Sequence, residues 1–239
     1  MPSSRPSVPP SSFSPTAPPY TALYLALYNL LSASLWLTIL LRTLSTPFLS
    51  SSSSSNTSSP PTSSLGSSLF KSTYPLLQWT QTLALLELLH SATALVRSPL
   101  FTAGMQIASR LLLVWGILFF TPEVITRQPP SGVGGAAYGA MLAAWAVTEV
   151  LRYGYYALAQ LRTLGVGVGV PKGLVWARYN AFLGLYPLGI VGECALIWRA
   201  AGVWRGRGEA VVEWGLYGIL GLYVPGEYES GEHWRWGMG

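Results

Sequence analysis

The sequence predicts an all-α, polytopic membrane protein with about six transmembrane helices in one bundle. Three observations carry that prediction. Half of the 239 residues are apolar and only 10% are charged, against roughly 25% in a soluble domain, too few to clothe a water-facing surface. Ten Trp and thirteen Tyr supply rings of the kind that settle at membrane–water boundaries. A bilayer core of about 30 Å needs about twenty helical residues, and six stretches of the chain approach that length.

Taken in order, residues 1–19 form a Pro- and Ser-rich tail, expected to be disordered. It lacks the basic start and apolar core of a cleavable signal peptide, so the first span is expected to stay as a signal anchor. Tyr20 to Leu41 runs without a charge as far as Arg42, and Tyr74 to Val96 carries only Glu87 and His90 before Arg97 and Pro99. Met105 to Phe120 holds Arg110 and stops at Pro122, Ala136 to Leu161 carries Glu149 and Arg152, and Leu174 to Trp198 carries Arg178 and Glu193. Ala210 to Val224 is short and contains Glu213, which makes it the weakest of the six. The transmembrane domain is thus 20–224. Within it, 45–73 is expected to be a disordered loop, because its Ser-dominated composition cannot bury enough apolar area to offset ordering. Asn56-Thr57-Ser58 is a glycosylation sequon usable only if that loop faces the lumen, and such matches are frequent by chance. Gly165 to Gly169 lacks the Lys-Ser/Thr ending of a phosphate loop and reads as a flexible connector. Residues 225–239 form a tail.

Charge and ligand chemistry narrow the function. The net charge is +5, but the cations are scattered singly from Arg5 to Arg235 and form no stripe for nucleic-acid phosphates. One Cys, Cys194, and two His, His90 and His233, exclude an internal disulfide and a Cys/His zinc cluster, so neither a metal nor a cofactor is expected. With a cytosolic N-terminus and six spans, eight cations fall on the cytosolic side and six on the other, a slight preference for that orientation.

A charge near the bilayer centre costs about 2.5–3.5 kcal/mol on insertion scales, so retained charges need a reason. Glu87 and His90 share a helix face with Arg97, where an interhelical hydrogen-bond cluster is the simpler reading. Glu149 and Arg152, three apart, suit a structural ion pair. Tyr186 and Glu193 are seven apart, within about 20° on one face and about 10.5 Å along the axis. That is too far for a direct hydrogen bond unless Pro187, Gly189 and Gly192 kink the helix. A phenol and a carboxyl at opposite ends of an apolar cavity could serve as an acid/base pair; simple packing is the competing reading.

The stretch Gln81 to Ser91, then Leu95-Val96-Arg97-Ser98-Pro99, Met105-Gln106 and Ser109-Arg110, resembles the very-long-chain (3R)-3-hydroxyacyl-CoA dehydratases, once called tyrosine-phosphatase-like proteins. The likeness continues through Val114 to Ile117, Trp145 with Thr148-Glu149-Val150, Arg152-Tyr153, Arg178-Tyr179, Leu185 to Gly189 and Gly192-Glu193. Tyr24, Tyr28-Asn29 and Trp36 fit the family's first span. The resemblance implies a multi-pass enzyme of the endoplasmic-reticulum membrane that converts a (3R)-3-hydroxyacyl-CoA to a trans-2-enoyl-CoA, the third step of very-long-chain fatty-acid elongation. It implies Tyr186 and Glu193 as the catalytic pair, with Arg110, Arg178 and Gly189 in support, and membrane lipid and other elongation enzymes as partners.

Which of the pair takes the C2 proton is open from sequence. An ionised carboxylate is the more available base and a neutral phenol the more available acid, which favours Glu193 as base. Arg178, with Arg162 and Lys172, would attract CoA phosphates; positive-inside anchoring explains the last two equally well. Phosphatase chemistry would need a His-Cys-x5-Arg loop, whereas Cys194 follows Glu193 and precedes Arg199 by four intervening residues. The resemblance fails after Gly226, and Ala94 stands where the family commonly has Gly, expected to be a mild change at a helix-packing position. A catalytically inactive scaffold of the same fold, binding acyl-CoA or elongation partners, is the rival reading. A small transporter would require an internal repeat, which the sequence lacks.

Overall fold

The computed structural model describes residues 19–52, 61–96, 100–126, 133–167 and 169–232. Long apolar runs with few helix breakers fold as α1 (Pro19–Ser52), α2 (Pro61–Leu83), α6 (Val133–Thr163), α8 (Phe182–Gly206) and α9 (Ala210–Glu232). Shorter helices join or extend them: α3 (Leu85–Ala92), α4 (Leu100–Leu111), α5 (Glu123–Thr126) and α7 (Lys172–Asn180). No strand occurs among the described residues, so the all-α class holds.

Among the described residues, side-chain contacts order these helices into six alternating legs. Arg42 donates to the Ser72 carbonyl and Tyr28 to the Leu83 carbonyl, so α1 and α2 run antiparallel, and α3 carries the second leg on to Tyr24 through His90. Leg three is α4 with a π-helical stretch, Leu112–Leu118, where the Tyr74 hydroxyl donates to the Val114 carbonyl at 2.9 Å. Such an inserted donor is a known cause of local departure from the α ladder. Leg four, α6, meets α2 at Thr73–Tyr138 and α1 at Tyr28–Tyr153. Legs five (α7 and α8) and six (α9) complete the bundle. Its core holds Trp36, Ile39, Leu77, Leu118, Met141 and Leu196.

One close approach fixes α8 on α6. A Cβ at Gly192 would sit 2.8 Å from both the Ala137 carbonyl oxygen and Met141 Cβ, so only glycine lets the two backbones meet there, the small-residue device of packed apolar helices.

Three expectations change. The loop expected over 45–73 is helical over 45–52 and 61–73, while 53–60, with the Asn56 sequon, and the tail 1–18 lie outside the described residues. The weak sixth stretch is a helix of 23 residues that continues past Val224 to Glu232; residues 233–239 lie outside the description. Ala94 is not a helix-packing residue. It is exposed with φ +55°, and the bonds Leu95 N–H to His90 carbonyl and Ala94 N–H to Ser91 carbonyl make it the left-handed residue of a Schellman cap on α3. The glycine that the resemblance implies at this position suits that conformation, which Ala adopts under strain. Among the described residues, two helices are long and apolar enough to cross a membrane, Tyr20–Thr46 and Phe182–Gly206, with Ala103–Leu118 and Ala210–Tyr223 shorter apolar helices, so length and composition do not reach the expected six spans.

Candidate active site

Four of the charged residues singled out in the sequence, Glu87, Arg110, Glu149 and Arg152, are gathered into one network, while Arg97 lies outside the described residues. Arg152 of α6 donates to Glu149 Oε2 at 2.7 Å, the local pair three residues apart. It also reaches across to α3, giving Glu87 two hydrogen bonds of 2.8 and 2.9 Å. Tyr153 donates to the same Glu87, and Arg110 of α4 pairs with Glu149. Two guanidinium groups thus face two carboxylates, and the planar forks satisfy acceptors that would be costly to leave unpaired. His90 sits beside this network, hydrogen-bonded to the Tyr24 hydroxyl at 2.8 Å and edge-on to Tyr28.

Glu193 lies one step further along. Both of its carboxylate oxygens receive a hydrogen bond: Trp145 Nε1–H donates to Oε1 and the Tyr223 hydroxyl to Oε2, each at 2.8 Å. The Trp145 ring in turn lies under the Arg110 guanidinium at 4.8 Å, so the indole that orients Glu193 is itself held from the charge network. Each carboxylate oxygen has two lone-pair sites, so acceptor capacity remains at Glu193 for a proton.

Tyr186 shares α8 with Glu193 but not its surroundings. It is 40% exposed, its ring rests on Phe182 at 4.8 Å, and no hydrogen bond joins it to Glu193 among the described residues. The helix between them is continuous despite Pro187, so the direct approach that a kink would have allowed is not made. Gly189 faces α6, where a Cβ would make ordinary contacts of 3.7 Å to Ala144 and 3.8 Å to Trp145; its neighbour Gly192 is the glycine that packing requires. Arg178, on α7, donates to the Tyr156 hydroxyl at 2.9 Å and lies over the rings of Tyr155 and Tyr156. A cavity of about 530 Å³ lies elsewhere, at the opposite end of α8, between Glu123, Trp198, Arg199 and Arg207. No group of three His, Cys or Glu side chains able to hold a metal ion occurs among the described residues.

The site residues missed by sequence reading are Trp145 and Tyr223 as partners of Glu193. The resemblance includes Trp145 without assigning it a role, and Tyr223 stands close to the point where the likeness is expected to fade. A polar-tipped ring in each of two helices flanking a lone carboxyl was the available signal, but only the packing of the legs says which rings meet it.

Comparison with known proteins places the chain. The family model described as protein tyrosine phosphatase-like protein, PTPLA, matches residues 81–233, and so extends past Gly226. A probable very-long-chain (3R)-3-hydroxyacyl-CoA dehydratase of Schizosaccharomyces pombe is 35% identical over 210 residues, 86% of each chain. The dehydratase hpo-8 of Caenorhabditis elegans is 36% identical over 170 residues, 71% of this chain and 66% of its own. PASTICCINO 2 of Arabidopsis thaliana, also named a very-long-chain (3R)-3-hydroxyacyl-CoA dehydratase, is 40% identical over 124 residues, 52% of this chain and 50% of its own. No solved structure matches. Dehydratases are hydro-lyases, so the relatives so named are enzymes of that class. On a match across most of its length, the chain belongs to the tyrosine-phosphatase-like family, whose named relatives here are very-long-chain (3R)-3-hydroxyacyl-CoA dehydratases.

Proposed function

We propose that this chain removes water from a long-chain (3R)-3-hydroxyacyl-CoA to leave a trans-2-enoyl-CoA, the third step of very-long-chain fatty-acid elongation, from within the endoplasmic-reticulum membrane. The observation that carries the reading is Glu193: a single carboxylate on an apolar helix, oriented at both oxygens, in the segment matched by the family. Glu193 takes the C2 proton, and the electron pair left behind forms the C2–C3 double bond as the C3–O bond breaks. Tyr186 gives its proton to the departing hydroxyl, which leaves as water. Water then carries the proton gained by Glu193 away and returns one to the Tyr186 phenolate, which resets both groups without a cofactor.

The six alternating legs support a six-span reading. Leu23, Leu27, Leu31 and Leu41 on α1 and Leu188 and Val191 on α8 are exposed, as suits helices that face acyl chains outside and a core inside. A substrate acyl chain has the same apolar surface to lie against. Arg178 stands near the leg end shared with Arg162 and Lys172, where CoA phosphates are expected; the tyrosine rings around it offer faces for the adenine. Other elongation enzymes are the expected partners, since each consumes the previous one's thioester.

The test supplies a long-chain 3-hydroxyacyl-CoA to membranes carrying the protein and follows enoyl-CoA. Glu193→Gln and Tyr186→Phe are each expected to lower kcat by about 10²–10⁴-fold, the usual contribution of a positioned acid or base. Wild-type turnover in both variants would remove the mechanism, and an inactive but folded wild type would favour the scaffold.

A further inference from the structure

The phenol in contact with Glu193 comes from α9, not from α8, and the local packing explains how it gets there. Gly208, at φ +79°, ends α8 with the paired bonds Glu209 N–H to Trp204 carbonyl and Gly208 N–H to Arg205 carbonyl, another Schellman turn. The chain then reverses, and Arg205 donates to Glu213 at 2.6 Å and to the Tyr217 hydroxyl at 2.7 Å. Tyr217 rests on Trp198 with ring centres 5.3 Å apart. From that contact, six residues along α9 and five back along α8 bring Tyr223 opposite Glu193, where its hydroxyl donates at 2.8 Å. On the other side Trp145 of α6 donates at the same distance.

We propose that Tyr223 is a positioning residue for the dehydration: with Trp145 it clamps the Glu193 carboxylate from two neighbouring helices, so that one orientation faces the substrate's C2 proton. The proposal rests on the reading of Glu193 as the reacting carboxylate. Its physical basis is that an unclamped carboxylate on three rotatable bonds samples several rotamers. Two donors on separate helices select one and leave lone-pair sites for the incoming proton. Because the clamp touches Glu193 and not the substrate, its loss lowers the rate of the chemical step without weakening substrate binding.

The experiment compares Tyr223→Phe, Tyr223→Leu and Glu193→Gln in the full-length protein in membranes, with a long-chain 3-hydroxyacyl-CoA as substrate. Tyr223→Phe keeps the ring and removes only the hydroxyl; kcat is expected to fall about 10- to 100-fold, the range for a hydrogen bond to a charged group, with KM unchanged within about twofold. Tyr223→Leu is expected to lower kcat to the same extent. Wild-type kcat in Tyr223→Phe with a loss in Tyr223→Leu would mean the ring acts by packing and would overturn the clamp, as would a raised KM with unchanged kcat. If Tyr223→Phe does not accumulate in membranes, Trp145→Phe tests the other donor, with the same fall in kcat expected and wild-type kcat overturning the proposal. Active Glu193→Gln would defeat the dehydration mechanism itself; inactive Glu193→Gln beside fully active Tyr223→Phe would defeat only the clamp.

Discussion

The two ends of the bundle handle charge in different ways. Toward the end where α1 begins, Arg110, Arg152, Glu87 and Glu149 interlock across three helices, and Glu149 is 3% exposed. Toward the other end, Arg207 pairs with Glu123 and Arg205 with Glu213, each cation at or beyond the end of α8 and well exposed. A charge near a helix end can turn outward to polar surroundings; one in mid-helix must be answered by a neighbour. The candidate site lies beside the interlocked end, with Trp145 as the link, because rigid orientation of a reacting group requires partners that cannot move away.

Three variants sharpen this contrast. The largest effect is expected from Arg152→Met, which leaves the charges of Glu87 and Glu149 with a single cation, Arg110, and the Tyr153 hydroxyl to answer them. A loss of roughly 3 kcal/mol is expected, the lower end of the cost of breaking a buried pair, read as reduced thermal stability of the detergent-extracted protein. A variant as stable as wild type would show that the network is no more binding than the surface pairs. An opposite and smaller change is expected at the cap beside the network: Ala94→Gly relieves the left-handed strain and should raise stability by about 0.5–1 kcal/mol. Smallest is Arg207→Ala, which breaks the pair with Glu123 at the far end. Stability is expected to change by less than about 1 kcal/mol, and enoyl-CoA production by membranes should match wild type. A large loss of activity there would erase the functional difference between the ends.

What could be read in the sequence was local or periodic. Helices followed from apolar runs of known length, the Glu149–Arg152 pair from a three-residue spacing, and the placement of Tyr186 and Glu193 on one helix from a seven-residue spacing. What could not be read required knowing which legs touch. Spacing groups Glu87 with His90 and Arg97 on one helix face, yet its partners are Arg152 and Tyr153, 65 and 66 residues away. Spacing places Tyr186 on the same helix as Glu193, but the phenol hydrogen-bonded to Glu193 stands 30 residues on. Ala94 is illegible for a different reason: a left-handed residue is a property of φ, and an alanine carries no mark of it in composition.

On the six-span reading proposed above, the balanced set of two arginines and two glutamates bears on how the polypeptide would enter a bilayer. Glu87, Arg110 and the Glu149–Arg152 couple belong to successive legs, so a lone second or third leg in lipid would carry an uncompensated ion. Entry of the legs as a group would avoid that state.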